Sequence, residues 1–307
     1  MNKFQNNNQS NDKTHITYQG QLKNIFKNYK TAYGSWFFAI LISPVALGNV
    51  LAWRETSQFS LVIFTLTLVV VLSANFAGNA MHKYCDSVSK KLVHDRHKKV
   101  DEEDYSKSMA QICVLLYIMA CVSMLGLMYL SPAKIEHLAL LFFGGLSASF
   151  VYTGAWTPKP YICLRDILII IIFGPIAVLF SYVAQCGQFD VKAILYAIPL
   201  ALNAEAIFHS EHAKDMVKDR DVGTVTTATV LGHRGSYVFY LFLLFTPYII
   251  FSVMLMKGSF TFVFPLTTLR GAFDLEKCFR KGNLEAMPSR TARLNAYLAI
   301  IYILVTF

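Results

Sequence analysis

The sequence predicts an all-α, polytopic membrane bundle of about nine transmembrane helices, on three observations. Of its 307 residues 55% are hydrophobic and only 15% charged, and the apolar residues fall in runs near the ~20 that a bilayer-spanning helix needs. The loops between runs alternate in charge, with 24 of the 28 Lys and Arg on one set of loops. The first 30 or so residues are polar, so no cleavable leader is expected and the first spanning helix acts as its own targeting signal.

Residues 1–30 are Asn- and Gln-rich (N-N-N-Q-S-N). They carry too little apolar surface to repay ordering and are expected to form a disordered tail, with 31–307 as one transmembrane domain. The expected spans are 35–53, 58–81, 109–130, 135–155, 167–185, 192–210, 236–256, 259–275 and 292–307. The tail and the loops at 82–108, 156–166, 211–236 and 270–293 hold the basic excess. By the positive-inside rule these face the cytosol, while Arg54, Lys134, Lys192 and Lys257 lie in short loops opposite. Pro44, Pro132, Pro175, Pro199, Pro247 and Pro265 lie in or beside the runs, where neighbouring helices can re-satisfy the freed carbonyls. Gly174–Pro175 is expected to kink the fifth span. The six cysteines are scattered without a C-x-x-C pair, as in free or buried thiols rather than a disulfide framework.

The stretch around which the rest is arranged is Ala204 to Gly223, A-E-A-I-F-H-S-E-H-A-K-D-M-V-K-D-R-D-V-G. Glu211, Asp215 and Asp219 recur every four residues, which lines three carboxylates along one helical face. Acids at the end of a membrane helix are costly and persist mainly where they line a cavity or pathway. Such oxygen-rich clusters suit Mg²⁺, which keeps some waters and is shared with substrate phosphates. The same spacing also suits a solvated helix end laced with i,i+4 ion pairs, and spacing alone leaves both open.

A second polar stretch runs from Gly78 to Asp104. Asn79, His82 and Asp86 recur on one face of a helix end. His82, His94 and His97 with Asp86 and Asp95 match none of the usual zinc spacings, so zinc is not expected there. An apolar bundle with acids and bases at one mouth suits an amphiphile with an anionic head and a greasy tail.

At these residues the chain resembles the UbiA superfamily of intramembrane prenyltransferases, and within it the menaquinone (vitamin K2)-forming branch. The resemblance runs from about Gly34 to Phe307. It rests on S-P-V-A-L-G-N-V-L-A-W-R (43–54), G-N-x-x-x-x-Y-x-D (78–86), Y-T-G (152–154), F-G-P-I-A-V (173–178), Y-A-I-P-L-A-L-N-A-E-A-I-F-H-S (196–210), K-D-M-V-K-D-R-D-V-G-T-V-T (214–226) and R-T-A-R-L-N (290–295). It implies nine helices around a central cavity, with two Asp-rich motifs at a cytosolic mouth holding Mg²⁺ and an isoprenyl diphosphate, geranylgeranyl diphosphate for this branch. Metal and bases neutralise the leaving diphosphate, and an aromatic or naphthoquinone acceptor captures the allylic carbon.

Carried over residue by residue, Asp86, Asp215 and Asp219 are the catalytic metal acids, with Glu211 where the family often has Asn. Asn79, His82, Lys83, Tyr152, Lys159 and Arg220 are the implied substrate contacts, and one extra residue in 155–165 shifts the frame around Lys159. The first motif departs from N-x-x-x-D followed by a second Asp. His82 takes the Asn position, Asp86 is kept, and Lys90 and Leu92 occupy the interval of the second Asp. Asp95 either substitutes from a reshaped loop or matches a later Asp–Arg pair (Asp95–Arg96). A site with one carboxylate binds Mg²⁺ more weakly, and Lys83 and Lys90 can act on the diphosphate as point charges.

The resemblance therefore implies a Mg²⁺-dependent aromatic prenyltransferase of an internal membrane, endoplasmic reticulum or Golgi in a eukaryote, with no nucleic-acid partner. The reduced first motif leaves a second reading: a pseudo-prenyltransferase that binds isoprenoid or sterol and regulates a partner membrane protein. A transporter is a distant third, since no paired halves are visible in the sequence. One prediction tests the topology. Asn8, in the acceptor triplet N-Q-S, stays unglycosylated when the chain is expressed in eukaryotic membranes, and a glycosidase-sensitive mass shift at Asn8 inverts the arrangement.

Overall fold

Apolar α-helices are the expected way to satisfy every backbone polar group away from water, and the described residues form helices joined by turns, with no strand among them. The structure is a computed structural model describing residues 37–93, 99–152, 162–221 and 223–307. The 1–30 tail, Asp95 and Lys159 lie outside the described residues. In order, the helices are α1 (Phe37–Thr56), α2 (Leu61–Val93), α3 (Lys99–Leu130), α4 (Ile135–Tyr152), α5 (Ile162–Ile171), a π turn (Ile172–Ile176), α6 (Ala177–Cys186), α7 (Val191–Lys214), α8 (Met216–Asp221) and α9 (Thr227–Met256). A 3₁₀ turn (Phe260–Phe262), α10 (Val263–Leu266), α11 (Leu269–Arg280) and α12 (Met287–Thr306) complete the chain.

Among the described residues five stretches, Leu61–Gly78, Lys107–Leu130, Arg165–Cys186, Val191–Lys214 and Thr227–Met256, are long and apolar enough to cross a membrane, and Ile135–Ala148 is a shorter apolar helix. The outer surface agrees: Leu115, Ile118, Val122 and Leu125 of α3 are all exposed, as a lipid-facing stripe requires.

Two expected boundaries shift. The loop at 82–108 is largely helix, because α2 runs on to Val93 and α3 starts at Lys99. The two form a long hairpin whose polar ends project past the apolar windows. The span expected at 259–275 is instead three short helices, broken before Leu269. Pro265 removes one backbone donor there, and α11 carries Arg270, Asp274, Glu276, Lys277 and Arg280 on an amphipathic helix.

Three turns and the chain's last residues meet at one end of the bundle. Gln185 Nε2 donates to Asn49 Oδ1 (2.6 Å) and to the Ser60 carbonyl (2.9 Å), while Ser60 N–H donates back to Gln185 Oε1 (3.2 Å). Ser131 Oγ donates to the Ala184 carbonyl (2.6 Å). Arg54 donates to the Thr306 carbonyl (2.9 Å), and the Trp53 and Phe307 rings stack at 4.4 Å. These contacts therefore fix the relative height of α1, α2, α3, α6 and α12.

α7 is the central rod: it packs against α1, α5, α6, the π turn, α9 and α12. The disturbance expected at Gly174–Pro175 takes the form of the π turn, whose wider helix absorbs the missing proline N–H. Here Gly174 lets the backbone close onto Ala201 of α7; an added Cβ would overlap the Ala201 methyl. Gly48 does the same for α1 against α6, where a Cβ would run into the Val178 carbonyl. An apolar pocket lies between α2, α4 and the π turn, lined by Val70, Ala74, Leu141, Phe142, Ile176 and Phe180.

Overpacking costs about 1–3 kcal/mol where neighbours cannot move, and both obstacles involve helix backbone or a Cβ fixed to it. Gly48→Val and Gly174→Val are each expected to lower the thermal midpoint of detergent-solubilised protein clearly. Gly144→Ala, which meets nothing within 4 Å, is expected to leave it within a degree or two or raise it, since alanine favours helix by about 1 kcal/mol.

Candidate functional site

The end of α7 remote from the Gln185 network carries the acidic stretch singled out in the sequence. α7 stops at Lys214 and α8 starts at Met216, with Asp215 between them at φ −89°, ψ 8°. The four-residue spacing survives this break. Asp215 N–H donates to the Glu211 carbonyl (3.0 Å), and Asp219 N–H donates to the Asp215 carbonyl (2.8 Å). Glu211, Asp215 and Asp219 are thus stacked one turn apart and close enough to feel one another's charge.

Lys214 Nζ lies 3.6 Å from Asp215 Oδ2. Partial burial, and then the neighbouring Asp215 charge, push the Asp219 carboxyl above its ordinary range; Lys218 and Arg165 pull the other way. Two partly buried carboxylates one turn apart form a donor set that fits a hard cation such as Mg²⁺.

Past α8 the chain turns back through Gly223, at φ +69°, and Thr224 N–H caps the Asp219 carbonyl at 2.7 Å. Thr226 and Thr229 then form a reciprocal capping box at the start of α9. Arg220 donates to the Thr229 carbonyl (3.3 Å) from an exposed position. In this state it ties the turn to α9 instead of pointing into the mouth. Gly232 interrupts α9 at φ +66°, ψ 179°, and its Cα side faces Arg220.

Of the other expected site residues, Asn79, His82, Lys83 and Asp86 lie on the polar extension of α2, and Tyr152 is the last residue of α4. Leu61 and Val191 both start at the Gln185 end. At ~1.5 Å per residue, Asp86 lies ~37 Å along α2 and Asp215 ~36 Å along α7.

The structure adds four residues that the sequence reading did not single out. Arg165 opens the span Arg165–Cys186 and lies within electrostatic reach of Asp219, Asp166 and Glu205. Inside the bundle, Asp166 of α5 and Glu205 and His209 of α7 bring their ligand atoms within 4.8 Å of one another, all three buried. Glu205 and His209 stood in the quoted stretch one turn apart, which marks a shared helix face. Nothing local in the sequence shows that Asp166 meets them.

Residues 41–301 match the UbiA prenyltransferase family. The chain is 41% identical over 279 residues to the human UbiA prenyltransferase domain-containing protein 1, covering 90% of this chain and 82% of that one. It is 42% identical over 283 residues to the Drosophila melanogaster homologue, covering 90% and 78%. Among solved structures it resembles the apo form of a UbiA homologue from Aeropyrum pernix K1, with a TM-score of 0.63 over 86% of this chain and 95% of that chain at 17% identity. That last likeness shows the fold.

The raised Asp219 carboxyl carries a testable sign. It binds its proton more tightly in the folded than in the unfolded chain, so its contribution to stability falls as pH rises from the ordinary Asp range through the raised value. In EDTA-treated protein, thermal midpoints between about pH 4 and 7 are expected to show this decline. Asp215→Asn removes one of its causes and is expected to flatten it, whereas Arg165→Gln steepens it.

Proposed function

The chain belongs to the UbiA prenyltransferase family, and from that premise we propose that it transfers an isoprenyl group from an isoprenyl diphosphate to an aromatic, naphthoquinone-type acceptor in a Mg²⁺-dependent reaction. The observation that carries this reading is the pair Asp215 and Asp219, held one helical turn apart at one end of an apolar bundle beside Arg165. The menaquinone-type acceptor and geranylgeranyl diphosphate as donor rest on the branch-like motifs of the sequence.

In this proposal Asp215, Asp219 and Glu211 hold metal from α7 and α8. Asp86 does so from α2, and Asp95 joins if its loop folds back. Bound Mg²⁺ supplies charge neutralisation as the allylic C–O bond breaks and diphosphate leaves with the electron pair. Arg165, Lys214, Lys159 and Lys83 add fixed positive charge at the same mouth, and Arg220 joins them on letting go of the Thr229 carbonyl. Asn79, His82 and Tyr152 position the substrates. The apolar interior takes the isoprenyl tail and keeps water from the allylic carbon, while the acceptor ring forms the new C–C bond and gives up its ring proton. With the basic loops cytosolic, the mouth opens to the cytosol from an internal membrane, endoplasmic reticulum or Golgi in a eukaryotic cell, and 31–307 act as one domain.

The test is turnover by purified protein in nanodiscs with Mg²⁺, isoprenyl diphosphates of graded length and a reduced naphthoquinone, read by mass spectrometry of the product. Wild type is expected to form product and EDTA to abolish it. Asp215→Asn or Asp219→Asn is expected to cut the rate on the order of 10²–10³-fold, while Asp95→Asn costs less than tenfold. If wild type forms no product with any diphosphate, and His82→Asn with Leu92→Asp creates turnover, the enzyme reading fails and the isoprenoid-binding reading replaces it.

A further inference from the structure

Asp166, Glu205 and His209 form a group that the mouth does not need. Glu205 is completely inaccessible, and neither of its carboxylate oxygens has a hydrogen-bond partner among the described residues. It sits on α7 within a run, 201–210, in which every residue is buried by packing against neighbouring helices. Asp166 is buried, with Oδ2 equally unpartnered. His209 is buried and has one nitrogen engaged: Nε2 lies 3.0 Å from the Ser236 carbonyl and 2.9 Å from Ser236 Oγ.

The carbonyl decides the tautomer. A carbonyl oxygen only accepts, so at 3.0 Å it requires the proton on Nε2. Nδ1 is left as a bare acceptor, and it too has no partner. Three acceptors therefore converge within 4.8 Å with no donor among them. An arrangement of this kind in an apolar interior is strongly unfavourable unless positive charge sits between the atoms. Arg165 lies close enough to influence both carboxylates, but one guanidinium leaves the group with a net negative charge. Thr227 at the start of α9 faces Asp166, and the positive end of that helix offsets only part of the remainder.

We propose that Asp166, Glu205 and His209 bind a divalent transition-metal cation inside the bundle, separate from the carboxylates of the mouth. The donor set argues for the class of ion. One imidazole nitrogen with two carboxylates is the ligand choice of Zn²⁺, Mn²⁺ or Fe²⁺, whereas Mg²⁺ prefers oxygen and keeps its waters. Ligand atoms at about 2.1 Å from one ion lie within about 4.2 Å of one another, so the observed span closes by a few tenths of an ångström when the ion enters. The Nε2–H to Ser236 carbonyl bond is the support that a metal-bound histidine characteristically has, fixing ring and tautomer for coordination through Nδ1. α5 and α7 are thereby cross-linked one full layer below Asp215 and Asp219.

The test uses Mn²⁺ as probe on full-length protein carrying Asp215→Asn and Asp219→Asn, which disables the second motif but leaves the interior group intact. Equilibrium dialysis in nanodiscs is expected to retain one tightly held Mn²⁺ per chain that Zn²⁺ displaces and Mg²⁺ does not. Electron spin-echo modulation of that Mn²⁺ is expected to show a directly bound ¹⁴N, lost in His209→Ala and kept in His82→Ala. Glu205→Gln is expected to weaken binding at least tenfold. If the Asp215→Asn, Asp219→Asn protein folds with the wild-type helical content and retains no Mn²⁺, or retains it without a ¹⁴N signal, the proposal is wrong and protons neutralise the group. The same holds if Glu205→Gln binds as tightly as its parent. None of these readouts depends on prenyl transfer, so the site and the proposed activity fail independently.

Discussion

Lipid tails are as apolar as leucine, so no hydrophobic force draws one membrane helix to another. Attraction must come from close van der Waals contact and from hydrogen bonds across helices. In this chain the constraint is concentrated at two glycines. Gly48 brings α1 onto the backbone of α6, and Gly174 brings the π turn onto α7. Both contacts leave no room for a methyl group, and both bear on the region from which α7 is aimed. The polar ties at Gln185, Asn49 and Ser60 then fix the axial register. α2 and α7 both start from that hydrogen-bonded end, and Asp86 and Asp215 lie at similar distances along them, more than 30 Å on.

What that packing supports is an expensive helix. α7 carries Asn203, Glu205, His209, Ser210 and His212, all buried, within one apolar-length span. Some of this polarity is satisfied across helices: Asn295 Nδ2 donates to the Asn203 carbonyl at 2.7 Å, and His209 is held by Ser236. Much of it is left open, since the side-chain atoms of Asn203 and Glu205 have no partners among the described residues. Residual polarity of this sort weakens a purely structural core. It is retained where something else, such as a cation or a substrate group, completes the bonds.

How much of this was legible in the sequence follows from which signals are local. Apolar runs showed where the rods lie, and the four-residue spacing of Glu211, Asp215 and Asp219 announced a shared face that the backbone preserves through the break at Asp215. The extent of α2 and α3 was not legible, because their polar extensions have loop-like composition although both are helical. The 259–275 run looked like a span by hydropathy, but its second half belongs to α11, where charges at one helical face outweigh the apolar average. Arg165 and Asp166 read as loop residues in the sequence. Their meeting with Glu205, His209 and Asp219 is tertiary, set by how α5 and the π turn that follows it pack on α7, and no periodicity along one segment encodes it.

The two polar levels differ in what water can do for them. At the mouth Asp215 and Asp219 remain partly exposed. Either can be hydrated, protonated or metal-bound as substrate comes and goes, which suits a site that must release a diphosphate each cycle. One layer down, Glu205 has no water to fall back on, and a bare charge there costs several kcal/mol. A cation bound at that depth is structural in its lifetime even if it is catalytic in its effect. Arg165 touches both levels through its field, reaching Asp219 on one side and Asp166 and Glu205 on the other. Any change in occupancy of the mouth therefore alters the electrostatic balance of the interior, and the coupling runs equally in reverse.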